Sequence, residues 1–264
     1  MKHNFFASLM FLILFAGISL KIQAQTKPFA AGEVLTYEGK ISKVIQGIAV
    51  ADLTFTFSDA PNGADYLIKT EAKSKGSLLR FFRYSFFQQY DSLVENRSFR
   101  ILKTSKHDEQ KERVRDSEAV FDYENRQVTF VEANPKEPMR APRKIASEIA
   151  GDVHDMVSGL YAMRMLPLAV GKVFEIIISD SGLLYKVPIR VTAREVQKSV
   201  LGKVMCFRVE PEIFGVNRLI EQEGSMIIWI TDDARRIPVR SQIKSNIGKI
   251  EVKLKQATGT SPKK

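Results

Sequence analysis

Alternation with a period of two runs through most of this chain and constrains its fold more than any other feature. Ala49, Ala51, Leu53, Phe55 and Phe57 share one parity, while Asp52, Thr54 and Thr56 fill the other. Successive side chains of an extended strand point to opposite faces, so such a stretch has one dry face and one wet face. The pattern recurs in Tyr185, Val187, Ile189, Val191 and Ala193 against Lys186, Arg190, Thr192 and Arg194. It returns where Ile250, Val252 and Leu254 interleave with Lys249, Glu251, Lys253 and Lys255. Turn-forming clusters separate the runs: Pro61-Asn62-Gly63, Glu124-Asn125-Arg126, Ser181-Gly182, Leu201-Gly202-Lys203 and Asn246-Ile247-Gly248. Gaps this short leave no room for crossover helices, so the strands pair antiparallel.

The spacing predicts strands over residues 33 to 45, 47 to 58, 64 to 74, 84 to 95, 98 to 106, 112 to 123 and 126 to 132, then 172 to 180, 183 to 196, 203 to 213, 224 to 231, 236 to 245 and 248 to 256. One segment departs from the pattern. Between Asp152 and Leu166 the apolar residues Val153, Val157, Leu160, Tyr161 and Met163 recur at steps of three and four, with Asp152 available as N-cap and Pro167 as a stop. The stretch Asn134-Pro135-Lys136-Glu137-Pro138 followed by Ala141-Pro142-Arg143 has no clear period and reads as an extended crossing loop. So many strands exceed the usual open twisted sheet. The expectation is a mainly β fold, a curved antiparallel sheet or barrel-like architecture, with one covering helix near 152 to 166. Two β halves joined by the proline-rich loop and helix form a single domain over 25 to 257, and 258 to 264 make a flexible tail.

The first 24 residues do not fit this scheme. A start carrying Lys2, an apolar run from Phe5 to Leu20 and a small residue at Ala24 have the three zones of a secretory signal peptide. The run is sixteen residues long, short of the roughly 20 needed to span a bilayer. The expected product is an exported protein beginning near Gln25 with no membrane span, periplasmic if the source is a Gram-negative bacterium. The sole cysteine, Cys206, lies far from the cut, so a lipid anchor there is chemically excluded, and an internal disulfide is too. Cys206 is expected to pack as a small side chain. Losing Lys2 and Lys21 with the leader leaves 38 basic against 30 acidic residues. A basic exported chain encounters anionic envelope molecules rather than nucleic acid, although its basic residues are scattered along strands as on an ordinary solvated face.

Three stretches, taken in order and spacing, resemble a known family: Phe29-Ala30-Ala31-Gly32-Glu33-Val34-Leu35-Thr36-Tyr37, then Asp155-Met156-Val157-Ser158-Gly159-Leu160-Tyr161-Ala162-Met163-Arg164, and finally Trp229-Ile230-Thr231-Asp232-Asp233-Ala234-Arg235-Arg236-Ile237-Pro238-Val239. The family is one of exported bacterial proteins known as the domain of unknown function numbered 3108. The resemblance implies a periplasmic or envelope protein of mostly β structure, and brings no activity or catalytic residue with it. Read physically, Thr231-Asp232-Asp233 before Arg235-Arg236 is a polar turn whose acids pair with its arginines, with Pro238 tolerated at an edge or bulge.

Little in the chain points to reaction chemistry. His107 and His154 are the histidines that remain after export, His107 in a polar stretch expected to be an exposed turn and His154 between Asp152 and Asp155 at the helix start. Neighbours on a helix do not aim at one point, so those acids read as capping and dipole compensation. No phosphate cradle, nucleophile elbow or paired-histidine motif is present, and no catalytic residue, metal site or cofactor is expected.

The densest aromatic segment carries Arg80, Phe81, Phe82, Arg83, Phe86 and Phe87. Its rings either complete the interior, each burying about 150–250 Å², or line the mouth of a cavity where Arg80 and Arg83 hold an anionic head group. On the second reading these six, with Tyr161 on the covering helix, are the candidate ligand contacts. Two functions from different classes follow. One is a non-enzymatic exported protein that binds a lipid-like or amphipathic envelope molecule inside its β structure. The other is an envelope assembly or interaction scaffold with a filled core, which docks a protein along an edge strand. A hydrolase is a third and weaker reading.

Overall fold

The structure, a computed structural model, describes residues 27–42, 48–76, 85–246 and 248–260. The stretch expected to be a signal peptide and residues Arg80, Phe81, Phe82 and Arg83 lie outside the described residues. In chain order the elements are β1 Glu33–Ser42, β2 Ile48–Asp59, β3 Tyr66–Ser74, β4 Phe86–Val94, β5 Ile101–Gln110, β6 Arg113–Asp122, β7 Gln127–Ala133, β8 Arg143–Glu148 and β9 Val153–His154. There follow helix α1 Met156–Met165, then β10 Val173–Asp180, β11 Leu183–Ser199, β12 Gly202–Pro211, β13 Gly224–Thr231, β14 Pro238–Ser245 and β15 Gly248–Thr258.

All fifteen strands belong to one sheet, ordered β8-β7-β6-β5-β4-β3-β2-β1-β15-β14-β13-β12-β11-β10-β9. Each neighbouring pair is antiparallel except β9 with β10, which run parallel through Val153 and His154 beside Ile177 and Ile178. The chain therefore meanders outward from β1 to β8, crosses under the sheet through α1, and meanders back from β10 to β15. Pairing of β1 with both β2 and β15 joins the two halves at the centre. The fold class read from the sequence is what the molecule has.

The two outer ends of the sheet, β8 and β9 with the adjoining β10, face each other across a seam with no backbone ladder among the described residues. Side chains fill it instead. Gly182, in the turn between β10 and β11, has φ +80°, and a Cβ there would sit 2.6 Å from Phe130 Cβ and 3.1 Å from Ile145 Cγ2. Gly182→Val combines a left-handed backbone with overpacking, penalties of about 1–2 and 1–3 kcal/mol respectively. We expect urea unfolding to show a loss of about 2–4 kcal/mol at unchanged m-value. A loss below about 0.5 kcal/mol would contradict the close approach at the seam.

Helix α1 lies within the curve of the sheet. Val157, Tyr161 and Ala162 pack with Phe29, Phe57, Ile68 and Phe99 on the β2–β7 side, while Met163 packs with Ile176, Ile178, Val187 and Ile189 on the β10–β13 side. A third cluster joins Leu35, Tyr37, Cys206, Trp229 and Ile237. Cys206 is fully buried, as its size suggests, and burial pushes its thiol up to about 12.

The helix starts three residues later than its periodicity predicts, because Val153 is drawn into an extended pairing with β10. Asp155 takes the N-cap place expected for Asp152. Its Oδ1 accepts from Ser158 N at 2.7 Å, and Ser158 Oγ accepts from Asp155 N at 2.9 Å, a reciprocal box. The proline-rich stretch also ends in structure: Arg143–Glu148 form β8, a sheet-end strand whose mostly exposed side chains gave little alternation to read. His107 is on β5 rather than in a turn, since that strand extends to Gln110.

Candidate functional site

The three stretches singled out in the sequence converge on one buried charge. Arg164, from α1, places Nη1 2.6 Å from Glu33 Oε1 and Nη2 2.8 Å from Glu33 Oε2, and both side chains are fully buried. Arg164 Nε donates to the Arg236 carbonyl at 3.0 Å and Nη2 to the Arg235 carbonyl at 3.0 Å. The rings of Phe29 and Tyr161 flank the guanidinium, with centroids 4.9 and 5.0 Å from it. Burial disfavours the charge, but the Glu33 carboxylate outweighs it and holds the arginine above its ordinary range. Turn residues 232–236 are thereby tied to β1 and α1. Within that turn Asp233 pairs with Arg235 at 2.6 Å and Asp232 with Arg236 at 3.2 Å, as their spacing suggests.

Beside this knot the interior is hollow. A cavity of about 350 Å³ lies between α1 and both halves of the sheet. Leu160 and Met163 of the helix face Leu53 and Phe55 of β2, Ile176 and Ile178 of β10, and Ile228 of β13 across it. Ile213 and Leu219, from the segment between β12 and β13, close another side. The few polar groups on the wall include Thr70, Gln88, Tyr90, Arg240 and Ser241. Arg240 is engaged by Glu251 at 2.8 Å. Thr70 Oγ1 and Ser241 Oγ are buried and have no hydrogen-bond partner.

Tyr90 and Met156 also border a second, polar cleft of about 50 Å³ near the seam. Lys106, Asp108, Arg115, Glu132, Asp155 and Asp180 supply its charges. Asp155 is fully occupied: Ser92 Oγ and Thr104 Oγ1 donate to Oδ2, and the Ser158 amide and hydroxyl donate to Oδ1. Asp108 is occupied by Gln88, Gln110 and Arg113. Burial pulls the Lys106 ammonium down, but Tyr90, Asp108 and Asp180 outweigh it and keep the group charged.

A family model described as a protein of unknown function, DUF3108, matches residues 35–255. The chain belongs to the DUF3108 family. No curated protein matches this DUF3108 chain. Among solved structures, a β-barrel-like DUF1849 protein from Brucella abortus is similar over 87% of this chain and 98% of its own, with TM-score 0.59 and 8% identity. That likeness is one of fold. A YmcC-like-fold protein from Bacteroides fragilis aligns over 88% of this chain and 97% of its own, at 9% identity and TM-score 0.34. A Parabacteroides distasonis protein described as a lipoprotein aligns over 88% and 99%, at 10% identity and TM-score 0.32. At these scores neither carries an argument. No helix among the described residues is long and apolar enough to cross a membrane, which says nothing of strands.

Of the sequence-predicted ligand contacts, Phe86, Phe87 and Tyr161 are among the described residues, and these three do not face one space. Phe86 shares its β4 face with Gln88 and Tyr90 by alternation. Phe87 points the other way, its ring centroid 6.1 Å from that of His107. Tyr161 belongs to the Phe29 and Phe57 ring cluster, with centroids 4.9 and 5.5 Å away, and is not on the cavity wall. The wall residues of this DUF3108 fold, Leu53, Phe55, Ile176, Ile178, Val187 and Ile189 among them, are the dry parity of their strands. Their alternation marked them as interior but could not distinguish hollow from filled. His107 bridges Asp116 and Glu109 at 2.5 and 2.9 Å, and these acids raise its pKa. Among the described residues no group of three or more His, Cys, Asp or Glu side chains could hold a metal ion.

Proposed function

We propose that this DUF3108 protein is an exported binding protein that carries a lipid-like or amphipathic molecule of the cell envelope in the space under α1. One observation carries the reading: an apolar cavity of about 350 Å³ between α1 and both halves of the sheet, within the roughly 300–1,000 Å³ range of ligand pockets. A guest with a polar end would meet the few polar residues of the wall, Gln88, Tyr90 and Arg240 among them. An apolar chain would cover the remaining wall. The scaffold reading calls for a filled core, and the hollow beneath the helix favours a ligand over it.

Solvent extraction of the protein purified from its native compartment, followed by lipid mass spectrometry, tests this. Ala72 borders the cavity, and Ala72→Trp would fill much of it. The native protein is expected to yield about one amphiphile per chain, and the variant at least about tenfold less. Equal yields from both, or none from the native protein, would overturn the reading.

A further inference from the structure

The longest strand of the sheet, β11, outruns its neighbours. It is laddered to β10 as far as Arg190, opposite Val173, and β12 is laddered to β13 as far as Cys206, opposite Thr231. Beyond these points residues 196–199 and 202–205 are laddered only to each other, as a two-stranded arm.

One face of this arm continues the dry interior into solvent. Val187, Ile189 and Val191 pack inward with Phe207 and Val209. A register shift between Val191 and Ala193 then moves the inward side of β11 from odd to even numbers, so that Arg194 opposes Phe207, Val196 opposes Met205 and Lys198 opposes Lys203. Directly opposed residues lie on the same face of a sheet. Val196 and Met205 on that face, with Val200 in the turn beyond, are 55, 37 and 53% exposed. The other face is covered. Leu201 and Val204 pack with Cys206 and Trp229, and Glu195 accepts from Trp229 Nε1 and from Gln197 Nε2.

Charge says what kind of surface would cover the exposed face. Like charges directly opposed across a ladder are destabilising, yet Lys198 and Lys203 are so placed, and neither forms an ion pair among the described residues. The neighbouring acids are spent. Glu195 lies on the covered face, and Asp232, whose amide donates to the Met205 carbonyl at 2.8 Å, is shared between Arg194 at 2.6 Å and Arg236 at 3.2 Å. Apolar side chains set between unpaired cations match the boundary between anionic head groups and acyl chains. A second copy packed face to face would instead add two more lysines to the contact.

We propose that the face of the β11–β12 arm that carries Val196, Val200 and Met205 with Lys198 and Lys203 docks the protein on an anionic lipid surface. The proposal goes beyond the cavity reading and holds whether or not a guest lies beneath α1.

Flotation of the chain from Gln25 onward, with vesicles of phosphatidylcholine alone or with about one-third phosphatidylglycerol, tests it. Binding to the anionic vesicles is expected to be at least about tenfold tighter. Lys198→Glu with Lys203→Glu should abolish that preference. Arg143→Glu with Lys144→Glu, the same charge change on exposed residues of β8, should leave most of it. A solvatochromic probe at Val196→Cys should shift to the blue on anionic vesicles, and the same probe at Val120→Cys, exposed on β6, should not; Cys206 is buried and does not compete for the label. Equal binding to both vesicles, no flotation with either, or a loss as large in the β8 variant as in the arm variant would overturn the proposal. So would a Val196 probe that shifts only when the protein self-associates or meets another protein. The comparison of the two vesicles uses the native chain and is decisive even if a variant folds poorly.

Discussion

Arg164→Met is expected to cost about 3–5 kcal/mol, the largest single-residue loss in the molecule, because it leaves the Glu33 carboxylate buried without its counter-charge. Both partners are fully buried, so water cannot take over. The same substitution strips a donor from the carbonyls of Arg235 and Arg236, loosening the turn that leads into β14. In a chain of this size each kcal/mol moves the thermal midpoint by about 2–4 °C, so calorimetry should show a fall of about 10 °C or more. Pairing Arg164→Met with Glu33→Met should recover part of the loss, since an apolar pair replaces an ion pair at lower desolvation cost. Recovery is incomplete because the turn carbonyls remain unserved. A single Arg164→Met variant within about 1 kcal/mol of the native protein would show that the pair does not hold β1, α1 and the turn together.

Asp155→Ala should be the next most damaging change, at about 3 kcal/mol. Losing an N-cap costs about 1 kcal/mol, and the remainder comes from the buried hydroxyls of Ser92 and Thr104, which lose their shared acceptor. Asp155→Asn keeps one oxygen for the cap and should cost about 1 kcal/mol. The loss is local before it is global: α1 spans only Met156–Met165, and without its cap the first turn frays. Hydrogen exchange should therefore report faster exchange at the amides of residues 157–160, which precede Tyr161, with the β1–β15 ladder little changed in the same experiment. Unchanged helix protection in Asp155→Ala would contradict the role assigned to this carboxylate. Since Leu160 and Met163 roof the cavity, ligand retention should fall in parallel.

The parts of this molecule that could be read from its sequence are those where side-chain parity alone decides. Leu53, Phe55 and Phe57, and Val187, Ile189 and Val191, face the interior as their alternation requires. The charge pairs of the 232–236 turn were also legible, because they lie within a few residues of each other. Other features depend on distance along the chain. Arg164 and Glu33 are 131 residues apart, and a lone arginine in an apolar helix does not name its partner. Asp152 and Asp155 are the same residue type, and only the pairing of Val153 with β10 settles which one caps. Strand β8 has Ile145 as its one large apolar side chain, too little for a period to show. The cavity lies deepest beyond sequence reasoning. Its volume follows from how sharply the sheet curves; the register shift at Trp229/Ile230 lies opposite Pro238, as that proline suggests, but the shifts at Thr36/Tyr37 and Gly39/Lys40 break the ladder where no residue pattern announces them. Lys106 ends the strand expected over 98 to 106, and only the register of β4 on β5 sets it over Tyr90.

The most direct test of the hollow interior as a ligand site is anomalous diffraction from crystals of the protein bearing an alkanol with bromine at its chain end. The account predicts a single bromine peak beneath α1, in contact with Leu160, Ile178 and Ile228. Bromine found only on the outer surface of the sheet, or a well-ordered interior with no peak at saturating alkanol, would contradict it.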